Sequence, residues 1–151
     1  MEIRIDDLQG GEVIQLLEEH LQDMYATSPA ESVHALDVEA LKAPEITFFS
    51  GWKHGKLLGC VALKELDSEQ VELKSMRTAS DARNLGVASS LLQHVLKIAS
   101  ERGYRCVNLE TGSQAFFTPA RRLYEKFGFS YCGPFGNYRE DPHSKFMTRH
   151  L

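Results

Sequence analysis

The stretch from Val71 to Leu92 constrains the fold more than any other part of this 151-residue chain. It begins with a run of apolar and β-branched residues, which predicts a β-strand. A polar turn at residues 79–83 follows, and apolar residues then recur at the spacing of an amphipathic helix. The residues of this helical pattern are Leu85, Ala88, Leu91, Leu92, Val95, Ile98 and Ala99.

The turn between this strand and helix has the features of an anion site. The first N–H groups of a helix have no intrahelical partner, and the helix dipole favours negative charge at the same end. Gly86 and Ala88 let an anion approach the backbone closely, and Arg83 adds a positive charge. A lone glycine also occurs at many turns that bind nothing. We predict that this helix end holds a pyrophosphate.

Length and composition indicate one ordinary globular domain spanning residues 1–151. The chain is 42% hydrophobic and 25% charged, as in globular proteins generally. It has no apolar run of membrane-spanning length and no signal-peptide pattern at its start, so we expect a cytoplasmic protein without a membrane partner. The net charge of −4 argues against nucleic-acid binding.

The three cysteines, Cys60, Cys106 and Cys132, have no C-x-x-C spacing and each lies in an apolar context. This pattern favours buried reduced thiols, and it indicates neither a disulfide framework nor a metal site.

The strand pattern predicts a mixed sheet. Ile46–Trp52 and Leu57–Leu63 flank a short turn and form a hairpin, and Val71 begins the third strand of a meander. Tyr104–Thr111 is a strand that follows the long helix, so this strand–helix–strand unit is a crossover between parallel strands. Phe129–Cys132 and Lys145–Thr148 form a closing pair. The fold class is α+β, with an antiparallel meander, one parallel crossover and helices on both faces.

The last helix has clear boundary signals. Thr118 suits its N-cap, Pro119 its first position and Gly128 the residue after its end. Earlier in the chain, residues 10–25 form an amphipathic helix, and a short helix near 37–42 ends an irregular connection. A long connection of this kind is often a substrate lid.

Two motifs together resemble the GNAT superfamily of acetyl-CoA-dependent N-acetyltransferases. They are R-x-x-G-x-A after a strand, at Arg83–Ala88, and L-Y-E-K-F-G-F at Leu123–Phe129. The resemblance covers nearly the whole chain in element order. The motif at Arg83–Ala88 is not the Rossmann fingerprint, because only one glycine of that pattern is present. Two further stretches, Pro44–Phe48 and Glu140–Met147, are similar to one bacterial branch of the superfamily.

The resemblance implies that acetyl-CoA is the co-substrate and that no metal is needed. The pantetheine arm would pair with the exposed strand edge at Met76, Arg77 and Thr78, where a bulge would splay the two parallel strands. Many relatives have asparagine where this chain has Phe117, which removes one expected pantetheine contact. The residues expected to hold the pyrophosphate are Arg83, Leu85, Gly86, Val87, Ala88 and Ser89.

The resemblance also implies catalytic roles for two residues. Tyr124 would protonate the leaving thiolate, and its spacing equally suits packing on the helix's apolar face. Glu72, four residues before Met76, would take the proton of the amine, which is almost wholly an ammonium at pH 7. Glu65, Glu110 or a water relay are competing bases. An exposed strand carboxylate paired with a lysine is the structural alternative for Glu72.

The expected activity is acetyl transfer to a primary amine by direct attack. The long connection favours a small-molecule amine, with a protein lysine or N-terminal amine as the alternative. A non-catalytic acyl-CoA-binding sensor module is the rival from another class, and a homodimer is compatible with the resemblance. The acceptor pocket would be lined by Thr27–Leu36 and Phe135–Ser144, with His34, Tyr138 and His143 among them.

Overall fold

Seven strands form one mixed sheet in the computed structural model, which describes residues 1–151. The strands are β1 (Glu2–Ile5), β2 (Ile46–Lys53), β3 (Lys56–Glu65), β4 (Gln70–Thr78), β5 (Cys106–Gly112), β6 (Ser130–Cys132) and β7 (Ser144–His150). Their order in the sheet is β1-β2-β3-β4-β5-β7-β6. Only β4 and β5 are parallel, and every other neighbouring pair is antiparallel. The predicted meander and crossover are confirmed.

Four helices cover both faces of this sheet, as the sequence predicts. Side chains alternate across a strand, so Phe48 and Phe49 of β2 enter two different cores. One core contains residues of the first two helices, and the other contains residues of the last two. None of the helices is both long and apolar enough to cross a membrane. The helices are α1 (Gly11–Thr27), α2 (Val38–Leu41), α3 (Val87–Glu101) and α4 (Thr118–Lys126).

Helix α3 begins later than its apolar pattern suggests. Gly86 is the N-cap residue and has φ +77°, a left-handed conformation that favours glycine. The chain therefore turns at Gly86, and Leu85 lies in the turn before it. The prediction that Leu85 belongs to the helix is wrong, and its side chain is 71% exposed.

Helix α4 does not use the predicted cap. Thr118 is its first residue, and Phe117 occupies the N-cap position without a side-chain cap. A 3-10 turn, Ala115–Phe117, runs directly into the helix, so the carbonyl of Ala115 already accepts from the Thr118 N–H. The Thr118 hydroxyl accepts a hydrogen bond from Arg121 instead.

A bulge in β4 opens the sheet beside β5. The parallel pairing ends at Leu73 and Leu109. On its other side, the pairing of β4 with β3 changes register, so that two residues, Ser75 and Met76, stand opposite Val61 alone. Ser75 has φ +53°, a conformation typical of bulges and uncommon for serine. Beyond the bulge, β4 has a free edge facing a gap.

Candidate active site

A cavity of about 590 Å³ lies where β4 and β5 part. Residues of both strands, of α1, α3 and α4, and of the loop before α2 line it. Of Glu72, Tyr124 and the residues predicted to bind the coenzyme, only Leu85 is not part of this lining. The predicted residues that do line it are Glu72, Met76, Arg77, Thr78, Arg83, Gly86, Val87, Ala88, Ser89 and Tyr124.

One end of the cavity is the start of α3. The first helical N–H to find a backbone acceptor is that of Ser90, which donates to the Gly86 carbonyl at 3.0 Å. No side chain caps the helix, so the N–H groups of Val87, Ala88 and Ser89 have no partner. A Cβ placed on Gly86 would meet nothing within 4 Å, so the backbone is open to a ligand. These features fit an anionic group such as a pyrophosphate.

Tyr124 lies on α4 with its ring buried edge-on against Phe129, 5.8 Å between centroids. Tyr124 also lines the cavity, so the same side chain packs in the core and borders the site. Burial, and then the charge of Glu110, raise the pKa of Tyr124 well above its usual value. The phenol therefore keeps its proton through the neutral range, as a proton donor must.

Glu72 is almost fully buried, and its carboxylate already has two partners. Its Oε2 accepts a hydrogen bond from Lys74 Nζ at 3.2 Å and another from Tyr138 Oη at 2.5 Å. Lys74 Nζ also donates to Tyr138 Oη at 2.9 Å, which closes a three-membered polar cluster. Glu72 pairs with a lysine, as the structural alternative expects, but inside the protein rather than at its surface.

Glu110 lies on β5, just past the last parallel pair, and also lines the cavity. Burial raises its pKa to about 7, although the hydroxyl of Ser144 and then the ammonium of Lys74 act in the opposite direction. Ser144 Oγ is buried beside the carboxyl group, but its geometry falls short of a hydrogen bond to any partner. Glu110 thus has fewer hydrogen bonds than Glu72, and it can bind or release a proton near neutral pH. Glu65 lies elsewhere, hydrogen-bonded to Tyr104 Oη at 2.6 Å.

Two loops enclose the cavity on the side of Glu72 and Glu110, which we call the acceptor end. Residues of the loop before α2 and His143 line it. The loops are joined by a hydrogen bond from Ser32 Oγ to Asp141 Oδ2 at 2.6 Å. They also meet through the rings of His34 and Tyr138, 5.0 Å apart. Tyr138 itself lies behind the cavity wall and reaches Glu72 from there.

Phe117 occupies the position where the resemblance leads one to expect asparagine. The ring is buried and lines the cavity, and a Cβ on Gly112 would lie 2.1 Å from it. The glycine is therefore required for the ring to pack against β5. An apolar wall replaces an amide at this point of the cavity.

Comparisons with known proteins agree with this geometry. The model of the acetyltransferase (GNAT) family matches residues 13–129. The chain belongs to this family and is a GNAT N-acetyltransferase.

Several relatives match over nearly the whole chain. The uncharacterised N-acetyltransferase YsnE of Bacillus subtilis is 55% identical over 100% of both chains. The uncharacterised N-acetyltransferase YedL of Escherichia coli is 48% identical over 97% of this chain and 92% of its own. The IAA acetyltransferase of Azospirillum brasilense is 38% identical over 92% and 90%. The predicted likeness to a bacterial branch is confirmed by the first of these.

Solved structures share the fold. An acetyltransferase from Streptococcus agalactiae has a TM-score of 0.77 at 16% identity, covering 99% of this chain and 98% of that one. A GNAT family acetyltransferase from Elizabethkingia anophelis, with acetyl-CoA bound, has a TM-score of 0.72 at 20% identity, covering 99% and 97%.

Proposed function

We propose that this enzyme transfers acetyl from acetyl-CoA to a primary amine of a small molecule by direct attack. One observation carries the proposal. A single cavity connects the open N–H groups at the start of α3, the free edge of β4, and Tyr124 with two carboxylates. A phosphate grip, a slot for an extended arm and proton-transfer groups are the three parts that this reaction needs.

Each residue has a task in the proposal. Val87, Ala88 and Ser89 donate N–H groups to the pyrophosphate, with Gly86 leaving room and Arg83 adding charge. Met76 to Thr78 bind the pantetheine arm along the free edge of β4. The Met76 N–H donates to the carbonyl oxygen of the thioester as negative charge develops there.

The proton transfers occur at named atoms. Bound acetyl-CoA supplies the activated acetyl group. A carboxylate takes one proton from the ammonium, the amine nitrogen bonds to the carbonyl carbon, and the carbon–sulfur bond breaks. Tyr124 Oη gives its proton to the departing thiolate, and the second proton that the nitrogen loses returns to the Tyr124 oxygen. The products are then the neutral amide, coenzyme A and one proton on the carboxylate.

Glu110 is the carboxylate that we favour as the base, although Glu72 remains the residue predicted from the resemblance. A base with a pKa near the working pH is ionised for much of the time yet still binds a proton, and the pKa of Glu110 is about 7. Glu72 is held by Lys74 and Tyr138, whose hydrogen bonds both go to its Oε2. In this assignment Glu72 is a positioning residue.

The enclosed acceptor end favours a small molecule over a protein. A protein lysine needs an open groove, whereas the contacts of Ser32 with Asp141 and of His34 with Tyr138 tie two loops together over this end.

Thiol release from acetyl-CoA across a panel of amines tests the proposal, with product mass as the second readout. Beside the amines we test a lysine-containing peptide and IAA, the compound in the name of one relative; IAA has no primary amine and represents an acceptor of another class. We expect release with small amines and little with the peptide. Tight coenzyme A binding without release on any acceptor, beside an active control enzyme, would instead indicate an acyl-CoA sensor.

A further inference from the structure

Two residues of β4 that line the cavity have buried hydrogen-bonding groups without a partner. Arg77 Nε and Ser75 Oγ are both buried and unpaired, and both residues line the cavity. Buried polar groups are nearly always paired in native proteins, because an unmet donor destabilises the structure. Two unmet donors that lie two residues apart on β4 therefore mark a place where a ligand supplies acceptor atoms.

Arg77 is held in place for such a contact. Its side chain is only 10% exposed, and Nη1 donates to Asp23 Oδ2 of α1 at 2.6 Å. This ion pair fixes the guanidinium from one side and leaves the Nε–H free. The backbone of Arg77 belongs to the edge proposed for the pantetheine arm, whereas its side chain points to α1, on the acceptor side.

Lys74 adds a third donor to the same strand. Its ammonium has three N–H groups, of which two are used by Glu72 and Tyr138. Lys74 lines the cavity and is 8% exposed, so its remaining N–H lies in a poorly hydrated setting. Unmet donors thus lie on β4, and the proton-accepting carboxylate of Glu110 lies on the neighbouring β5.

We propose that the acceptor is a small amino acid, with its carboxylate bound by Arg77, Ser75 and Lys74 and its ammonium beside Glu110. This inference rests on the proposed function and narrows its substrate class. A carboxylate offers about four acceptor positions to fixed donors, and hydrogen bonds to charged groups are the strong ones. A diamine would leave all three donors unmet.

Three acceptors with the same carbon chain test the inference on the unaltered enzyme. They are β-alanine, β-alaninamide and 1,3-diaminopropane, and glycine and 4-aminobutyrate with their amides extend the series to other lengths. We expect kcat/KM for the best amino acid to exceed that of its amide and of the diamine by at least about tenfold. The amide has the more acidic ammonium and thus more free amine, so the comparison understates the effect of the carboxylate.

Two variants test whether Arg77 causes the preference for the amino acid over its amide. Arg77→Lys keeps a cation beside Asp23 but removes the Nε–H, and it should bring the amino-acid-to-amide ratio to within about threefold of one, mainly through the KM of the amino acid. Asp23→Asn removes the charge of the ion pair, but its amide oxygen can still accept from Arg77 Nη1 and hold the guanidinium in place, so this variant should keep the preference for the amino acid.

Opposite results overturn the inference in distinguishable ways. If an amide or the diamine reacts as well as the amino acid, the carboxylate site is wrong and the proposed function stands. If no acceptor of any class releases thiol, both are wrong. A preference that survives in Arg77→Lys would also overturn the assignment to Arg77.

Discussion

Glu72 and Lys74 form an ion pair inside the protein, with 3.2 Å between Oε2 and Nζ and only 3% and 8% of the two side chains exposed. They are two residues apart on β4 and therefore lie on the same face of the sheet. Tyr138 Oη completes the cluster from the loop before β7. Glu72→Gln would leave the ammonium of Lys74 buried beside a neutral amide.

We expect Glu72→Gln to lower the free energy of unfolding by about 3 kcal/mol, because breaking a buried pair from one side leaves an uncompensated charge. Urea unfolding measures the change. The control is Glu101→Gln, which breaks the exposed pair with Lys97 and should shift stability by less than about 0.5 kcal/mol. Equal effects of the two substitutions would show that the buried pair is not special.

The assignment of Glu110 as the base predicts a pH–rate profile. The pKa of Glu110 is about 7. As Glu110 loses its proton, kcat/KM should therefore rise with pH up to about 7, and the rise should then level off. Glu110→Gln should remove this inflection and lower kcat/KM by about a hundredfold. Glu72→Gln should keep the inflection. If the inflection disappears in Glu72→Gln and persists in Glu110→Gln, Glu72 is the base.

Glu110 also predicts how stability depends on pH. Its pKa is raised from 4.5 to about 7 in the folded protein, so the unfolded chain loses this proton at lower pH than the folded chain does. Stability contributed by this group therefore falls as pH rises from 4.5 to 7. Glu110→Gln should raise Tm by at least about 4 °C at pH 8 and leave it nearly unchanged at pH 4.5. A pH-independent shift would contradict the raised pKa.

The start of α3 predicts a glycine effect on coenzyme binding. Gly86 and Gly55 have nearly equal φ angles, +77° and +75°, and both have open space where a Cβ would go. Replacing either by alanine should therefore cost a similar amount of stability, about 1 kcal/mol. Only Gly86→Ala should weaken acetyl-CoA binding, by about tenfold or more in calorimetry, because only Gly86 lies at the proposed phosphate grip. Similar affinities in the two variants would place the pyrophosphate elsewhere.

Much of this fold could be predicted because local patterns and tertiary structure agree. The apolar runs of β2 and β3 on either side of a short turn, and the helical period after Gly86, were strong enough to give the element order and the crossover. The start of α4 could not be read in the same way. Thr118 has the right chemistry for a cap, but the 3-10 turn before it runs directly into the helix and makes Thr118 the first helical residue. A turn that short leaves no periodicity in the sequence.

The contacts and pKa values of the proton-transfer groups could not be predicted from sequence alone. Glu72 and Lys74 could be placed on one face from their spacing, but Tyr138 is 66 residues away and no local pattern joins it to Glu72. The raised pKa of Glu110 depends on burial, which follows from the parallel register of β4 and β5 and from two loops packing above them. Such properties arise only when distant segments meet.

Tyr124 tests the central claim, that this cavity performs acetyl transfer. Tyr124→Phe keeps the ring against Phe129 and removes only the hydroxyl, so packing and the phosphate grip should remain. The matched control is Tyr131→Phe on β6, an exposed tyrosine outside the cavity lining.

The decisive measurement is kcat together with the acetyl-CoA dissociation constant for Tyr124→Phe. We predict a kcat more than about tenfold lower with the dissociation constant nearly unchanged, while Tyr131→Phe matches the unaltered enzyme in both. An unchanged kcat in Tyr124→Phe would contradict the account, because the leaving thiolate would then take its proton from another group.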